Sequence, residues 1–413
     1  MKNRFICDFH IHSKYSRATS KDMDLKNIAK WAKIKGISLM GTGDFTHFLW
    51  LQELKSLLKP AAGGLFSYDG TLFVLSSEIS CIYSKNGRVR KIHIIILAPD
   101  FETVEKINKE LGSIGNLVSD GRPILGLDAR DLVKIVMDKN PNCFIIPAHI
   151  WTPWFSLFGA NSGFDTIEDC FEDQLKHIGA LETGLSSDPA MNWRWEALDK
   201  YCLVSNSDAH SPQKIGREAN IFSQKMDYYQ LLDAIKNKDK EKFLATIEFF
   251  PQEGKYHWDG HRACQVRLAP AETRKNNYLC PKCGKKVTVG VLHRVEELSD
   301  RKEGFIPEQK IPFYSLVPLN EIISGAIGKG ISSLAVKNEY LKITQSLGGE
   351  ITVLFDAPEK ELIKVTLQRV ADGILNAREG RVKIQPGYDG EYGKIKVFNG
   401  EDKNAGAGQL ELF

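Results

Sequence analysis

The chain has 413 residues, 42% of them apolar, and 55 Lys and Arg against 52 Asp and Glu give a formal net charge of +3. That length suits two to four domains with substantial cores, and the near-balance of charge excludes bulk electrostatics as an argument for or against a polyanionic partner; local patches must decide that. No apolar run reaches the length of a membrane helix, and MKNRFICDFH lacks the long apolar stretch of an export signal, so no membrane partner and a cytoplasmic, nucleoid-associated location are expected.

In chain order, RFICDFHI reads as a strand, and DLKNIAKWAKIKG as a helix with Asp24 as its cap and Gly36 as its stop. ISLMGTGD is a second strand. TLFVLSSEI and KIHIIILAP are two more, placed to form a hairpin. Asp128 to Lys139 is helical, CFIIPAH, IGALETG and YCLVSNSDAH are strands, and Asp227 to Lys238 is a further helix. Strands alternating with helical stretches argue for a parallel sheet, and this many units over residues 1–250 suit a β/α barrel. Residues 251–310 are rich in Gly, Lys and Arg with little periodicity. Residues 311–398 alternate again: a helix from Asn338 to Leu347, a strand at EITVLF, a long helix from Glu359 to Leu375, and strands at RVKIQP and KIKVF, together a small α+β domain. Residues 399–413, NGEDKNAGAGQLELF, begin as a flexible linker.

Candidate metal ligands collect where a barrel places its active site, at the carboxyl ends of strands. His10 and His12 are two residues apart, so a strand points both to one face. Asp44, Glu78, His93, His149, Asp208 and His210 close or occupy later strands. Any one of these reads as a core or surface group; the recurrence at strand after strand does not. Mixed imidazole and carboxylate donors suit zinc, manganese or iron better than calcium.

DFHIHS, SSEIS, IHIIILAP, PAH and SDAH resemble the motifs of the PHP (polymerase and histidinol phosphatase) superfamily. The resemblance implies a distorted β/α barrel with two or three divalent ions (Zn, Mn, Fe or Mg) in a phosphoesterase centre. It implies that His10, His12, Glu78 and Asp208 hold one ion, that Glu78 bridges to another held by His93 and His149, and that His210 serves a third. His10, His12, Glu78, Asp208 and His210 are then the expected catalytic set. The chain departs from the pattern: Phe45 stands where a histidine is usual, and Ala18 and Thr19 where a further ligand is expected. Asp44, or His47, is the expected substitute, and Glu182 is open between ligand, base and structural group.

HRAC, residues 261–264, and CPKC, residues 280–283, form two tight pairs matching a closed tetrahedral site. His261, Cys264, Cys280 and Cys283 are the expected ligands of one structural zinc, with His257 competing for the place of His261 and His293 a distant option. YHWDGHRAC, VGVLHRVEELSDR and PGYDGEYG extend the resemblance, over nearly the whole chain, to the endonuclease Q family. That resemblance implies a DNA-repair endonuclease that nicks 5′ of deaminated bases (hypoxanthine, uracil, xanthine) and of abasic sites. A 3′-5′ exonuclease or small-molecule phosphatase on the same barrel, and a non-catalytic clamp-bound DNA-binding adaptor, are the alternatives. Candidate DNA contacts are Arg17, Arg217 and Arg294 for backbone phosphates, Trp151 and Trp154 for a lesion pocket, and Tyr388 and Tyr392 for stacking. QLELF resembles the peptide with which bacterial proteins dock on the β sliding clamp, with Gln409, Leu410, Leu412 and Phe413 as the contacts.

Overall fold

The computed structural model describes residues 4–398. The expected caps hold the first helix, Leu25–Lys35: Asp24 accepts a hydrogen bond from the Asn27 amide, and Gly36 closes the helix at φ +86, a conformation that favours glycine.

An α/β architecture around a mixed sheet organises the first 250 residues. Its main path runs Phe313–Ser315, Phe243–Glu248, Ala219–Phe222, Phe5–Asp8, Leu39–Gly41, Thr71–Lys85, Phe66–Tyr68, Lys59–Pro60. Arg88–Ala98 leaves this path, pairing with Thr71–Lys85 on one side and Phe144–Pro147 on the other. The expectation of a parallel sheet needs correction. Phe5–Asp8 runs parallel to Leu39–Gly41, which runs parallel to Thr71–Lys85, but the pairs with Arg88–Ala98, Phe144–Pro147, Ala219–Phe222 and Phe243–Glu248 are antiparallel. Only Thr71–Lys85 and Arg88–Ala98 are joined by a short hairpin; helices lie between Arg88–Ala98 and Phe144–Pro147 and between Ala219–Phe222 and Phe243–Glu248, so a helix in the sequence does not by itself fix a parallel register. Ala180–Glu182 and Cys202–Val204 form a separate parallel pair. Near-continuous apolar runs in the central strands are buried on both faces, with Ile92, Ile94, Ile95, Ile96 and Leu97 all inside.

Beyond Phe250 a small module is built on the hairpin of Asp259–His261 with Val266–Leu268 and on helices Pro270–Lys275 and Val291–Leu298. The last region is mostly helical. EITVLF, expected as a strand, is the helix Glu350–Phe355. Its β-branched residues are overridden by packing: Ile351, Val353 and Leu354 are buried, and Gly348 and Gly349, at φ +84 and +108, turn the chain into it. The long helix expected from Glu359 is two helices, Glu359–Val365 and Gln368–Arg378, because Thr366 is extended. Phe313–Ser315 belongs to the main sheet, pairing parallel with Phe243–Glu248. The helical region is tied to the first helix by the buried Lys35–Glu350 ion pair, with Glu350 also accepting the Tyr340 hydroxyl at 2.6 Å and the Leu319 amide at 3.0 Å. Among the described residues no helix is long and apolar enough to cross a membrane.

Candidate metal centre

Four side chains meet at the end of the central strands. Ligand atoms of His10, His12, Glu78 and Asp208 all lie within 4.8 Å of one another, and so do those of Glu78, His93 and His149. Glu78 belongs to both sets and divides its oxygens between them. Its Oε2 faces Nε2 of His12 at 3.3 Å and of His10 at 3.6 Å; its Oε1 faces Nδ1 of His93 at 2.7 Å and Nε2 of His149 at 3.1 Å. Asp208 Oδ1 sits 3.0 Å from His12 Nε2 and 3.7 Å from His10 Nε2.

Buried carboxylates behind the two N-terminal imidazoles set their orientation. His10 Nδ1 is 3.0 Å from Glu182 Oε1, and His12 Nδ1 is 3.1 Å from Asp44 Oδ1. With each Nδ1–H donating backwards, both Nε2 lone pairs face the centre. Asp44 and Glu182 are locked in turn. Asp44 Oδ2 accepts the Ser13 amide (2.6 Å), the Ser13 hydroxyl (2.7 Å) and the Ser16 hydroxyl (2.9 Å). Glu182 accepts the His149 amide (2.8 Å) and the Asn206 side-chain amide (2.9 Å). Asp44, His149 and Asp208 hold φ of +50, +31 and +46, a left-handed backbone that non-glycine residues rarely adopt and that gathers at functional sites.

The residues fit divalent cations. Nε2 of His10, Nε2 of His12 and Oδ1 of Asp208 are buried without a hydrogen-bond partner, and all three belong to one ligand set. Buried polar atoms without partners are costly, and a coordinated ion supplies the missing interaction. The electrostatics show an anionic centre that attracts positive charge, a proton or a metal ion alike. Burial works against charge on His10, but Glu182 and Glu78 outweigh it and hold the ring's pKa well above the usual range. Burial likewise opposes charge on Glu78, and His93, Arg122 and His10 override it, holding the carboxylate well below its usual value.

Other predicted residues lie elsewhere. Asp44, expected as a ligand, has its oxygens taken by His12, Ser13 and Ser16 and stands outside both ligand sets; it orients His12 instead. His47 points away, with Nε2 at 3.1 Å from the Val118 carbonyl and its ring 4.4 Å from that of Tyr15. His210 also stands outside the ligand sets, with its ring 4.5 Å from that of His12 and Nδ1 2.9 Å from the Asp208 carbonyl. Trp151, expected in a lesion pocket, is a core residue whose indole donates to Asn192. Arg294, expected on DNA, is spent within the fold on the Phe158 and Phe164 carbonyls, Asp165 and Glu297. Tyr388 is buried, with the Arg267 guanidinium 5.0 Å from its ring centre. Arg17 is exposed beside Asp120. The residues expected to bind a clamp, Gln409, Leu410, Leu412 and Phe413, lie outside the described residues.

Trp154, Arg217 and Tyr392 share one cavity of about 720 Å³, together with Thr152, Lys214 and Tyr256. Trp154 is 44% exposed and Tyr392 73%. The cavity adjoins the metal centre: Thr152 Oγ1 is 3.1 Å from His149 Nδ1, and Arg217 Nε donates to the carbonyl of Ser207, next to Asp208. A second cluster lies in the small module, where the ligand atoms of His261, Cys264, Cys280 and Cys283 are within 4.8 Å of one another. His257 is outside it, buried with Nδ1 lacking a partner, and His293 is paired with Asp259 at 2.6 Å. Gly284, just after the second CPKC cysteine, has φ +70. Three thiolates and an imidazole in two tight pairs suit zinc.

Sequence reasoning missed Arg122. Its Nη1 is 3.1 Å from Glu78 Oε2, inside the metal centre. It comes from SDGRPIL, a turn without periodicity in which arginine is not itself a metal-ligand type, so no local signal marks it.

Comparisons with known proteins place this geometry. A family model described as the MJ0043 C-terminal domain matches residues 318–381. Uncharacterized protein YqxK of Bacillus subtilis (strain 168) is 30% identical over 95% of this chain and 99% of its own. Uncharacterized protein MJ0043 of Methanocaldococcus jannaschii is 40% identical over 62% of this chain, and the match spans only 31% of that longer protein. The crystal structure of the lesion-specific endonuclease PfuEndoQ from Pyrococcus furiosus is 34% identical, covers 97% of this chain and 98% of its own, and superposes with a TM-score of 0.86. Endonuclease Q in complex with a 27-mer duplex bearing an abasic lesion at the active site is 33% identical, covers 99% and 100%, and has a TM-score of 0.85. Fold and site together define a metal-dependent hydrolytic enzyme of the nuclease class. Likeness of this degree along both chains settles the lineage: the chain belongs to the endonuclease Q family.

Proposed function

We propose that the chain is a DNA-repair endonuclease that hydrolyses the phosphodiester 5′ of deaminated bases and of abasic sites. The observation that carries this reading is the pair of buried ligand sets sharing Glu78, set directly beside a cavity with aromatic and cationic walls.

His10, His12, Glu78 and Asp208 would hold one divalent ion, and Glu78, His93 and His149 another. Bound there, such ions supply a nucleophile at neutral pH and neutralise phosphate charge. The chain's own residues do the positioning. Asp44 and Glu182 keep the imidazoles of His12 and His10 in one tautomer and one orientation. His210, partly exposed at the edge of the centre, is placed to exchange a proton with solvent or with the leaving oxygen. The cavity accepts the lesion nucleotide taken out of the stack: Trp154 and Tyr392 offer ring faces, and Lys214 and Arg217 offer positive charge for the flanking phosphates. His261, Cys264, Cys280 and Cys283 would hold a structural zinc that keeps Tyr256 and the PGYDGEYG loop against the cavity, since Arg262 and Thr288 of the module both bond Asp389 of that loop. The QLELF peptide is the element proposed to dock on the β sliding clamp.

The test is a labelled duplex with a single hypoxanthine, incubated with protein and magnesium or manganese beside an undamaged control. A single nick 5′ of the lesion is expected. Digestion from the 3′ end, or binding without cleavage under any metal, would replace the proposal with an exonuclease or an adaptor.

A further inference from the structure

Among the described residues, the chain itself sets an arginine guanidinium at the centre. Arg122 reaches Glu78 Oε2 through Nη1 alone, and its side chain remains 24% exposed, whereas Glu78 is wholly buried. The side chain therefore spans from the buried ligand sets toward solvent, with Nη1 on Glu78. A guanidinium carries five N–H donors in a planar fork, so one contact leaves an edge of that fork for another acceptor.

The loop that carries Arg122 is pinned on all sides. Gly121 donates its amide to the Tyr15 carbonyl at 3.0 Å and accepts the Thr46 hydroxyl at 3.3 Å. The Pro123 carbonyl accepts the Ser80 amide at 3.0 Å, and the Arg122 amide donates to Asp120 at 3.2 Å. The loop also presses on the group that orients His12: a Cβ at Gly121 would stand 2.3 Å from Asp44 Oδ2 and 2.4 Å from Ser16 Oγ. Such anchoring fixes the guanidinium with respect to the ligand atoms, which is what a group acting on a reacting phosphate requires.

We propose that Arg122 is a catalytic residue whose guanidinium, braced by Glu78, binds a non-bridging oxygen of the scissile phosphodiester and stabilises the charge that grows there during hydrolysis. The assignment rests on the endonuclease reading above. Arginine suits the task because its fork matches phosphate geometry and stays charged at every working pH. Support of Glu78 alone would need only a positive charge, which lysine also supplies.

The two roles separate experimentally. In single-turnover nicking of the hypoxanthine duplex, Arg122→Ala is expected to lower the rate constant about 100-fold, the usual loss on removing one preorganised donor. Bound metal per chain is expected to match the wild type, and DNA affinity to change less than about threefold, since most of the phosphate contacts that hold the duplex remain. Arg122→Lys should recover little of the lost rate, and added guanidinium, not methylammonium, should rescue Arg122→Ala. Loss of metal from Arg122→Ala, full recovery by lysine, or an unchanged rate would overturn the proposal. Should the wild type nick no DNA at all, the endonuclease reading fails. Calorimetry with inorganic phosphate on the metal-loaded protein then decides on Arg122: about tenfold weaker binding by Arg122→Ala upholds it, and equal binding removes it.

Discussion

At the scale of single residues, the groups behind the ligands matter as much as the ligands. Asp44 makes four contacts that together hold the His12 ring, so Asp44→Asn leaves the shape and removes the charge that keeps Nδ1 protonated. Expected consequences are a metal affinity and a nicking rate each lower by about 10–100-fold, read by chelator competition and by the lesion-duplex assay. Glu253 sets a second test. Burial raises its pKa, the Glu321 carboxylate adds to that, and Lys214 only partly opposes it, so the group titrates at about 8. In an unfolded chain a glutamate titrates near about 4.3. Between those values the folded protein binds the extra proton, and stability therefore falls as pH rises from about 4.3 towards 8. Glu253→Gln keeps the neutral form at all pH. Thermal melts should show the variant more stable than wild type at pH 8.5, with no difference at pH 4, the shift per kcal/mol being smaller than the roughly 2–4 °C of 150–250-residue domains. A wild-type melting temperature flat across that range would refute the assignment.

At the scale of elements, the small module gathers His261, Cys264, Cys280 and Cys283, the residues proposed to hold a structural zinc. Its own apolar cluster is small, Val266, Leu268, Cys280 and Val287 with Cys264 packed against them, while Val291 and Val295 of its helix pack into the main core; Cys264 and Cys280 are among the proposed ligands. If the proposed zinc binds there, it would contribute to the module's folding free energy. Cys280→Ser with Cys283→Ser is expected to lose the zinc measured by elemental analysis. Hydrogen exchange should rise across residues 256–293, while the Thr71–Lys85 and Arg88–Ala98 hairpin stays protected. Uniform loss of protection would mean that the module is needed for the whole fold. Element types were legible where periodicity and caps agreed, as in Leu25–Lys35 and the helix Tyr228–Lys236 with its Asp227 capping box. EITVLF misled because its residues favour strands locally, while Glu350 sits at the start of a helix with its carboxylate on Lys35 and the Leu319 amide, partners that only the folded chain provides.

At the scale of the whole molecule, the cavity beside the metal centre joins segments far apart in sequence: Thr152 and Trp154, Lys214 and Arg217, Tyr256, and Tyr392. Base stacking on an aromatic is worth about 1–3 kcal/mol, and an abasic site has no base to stack. Trp154→Ala should therefore cut nicking at hypoxanthine by about 5- to 150-fold and leave nicking at an abasic site nearly intact. Equal losses on the two substrates would place Trp154 outside base recognition. Salt dependence should fall for Lys214→Ala and Arg217→Ala on every substrate alike, because phosphate contacts carry no base information.

Residue type and spacing by themselves determined the chemistry on offer. Imidazoles and carboxylates at strand ends read as a cation site, the HRAC and CPKC pairs read as a zinc site, and the alternation of strand and helix patterns read as α/β. These are local statements, and the periods of strand and helix with the donor types of side chains suffice for them. Tertiary structure alone decided which groups meet. It set Asp44 behind His12 and not on an ion, brought Arg122 from an unremarkable turn onto Glu78, buried Trp151 and Tyr388, spent Arg294 on carbonyls, and left Trp154 and Tyr392 in the open. Contacts between residues separated by 30 to 200 positions depend on register and packing, and a one-residue slip in a strand sends a side chain to the opposite face.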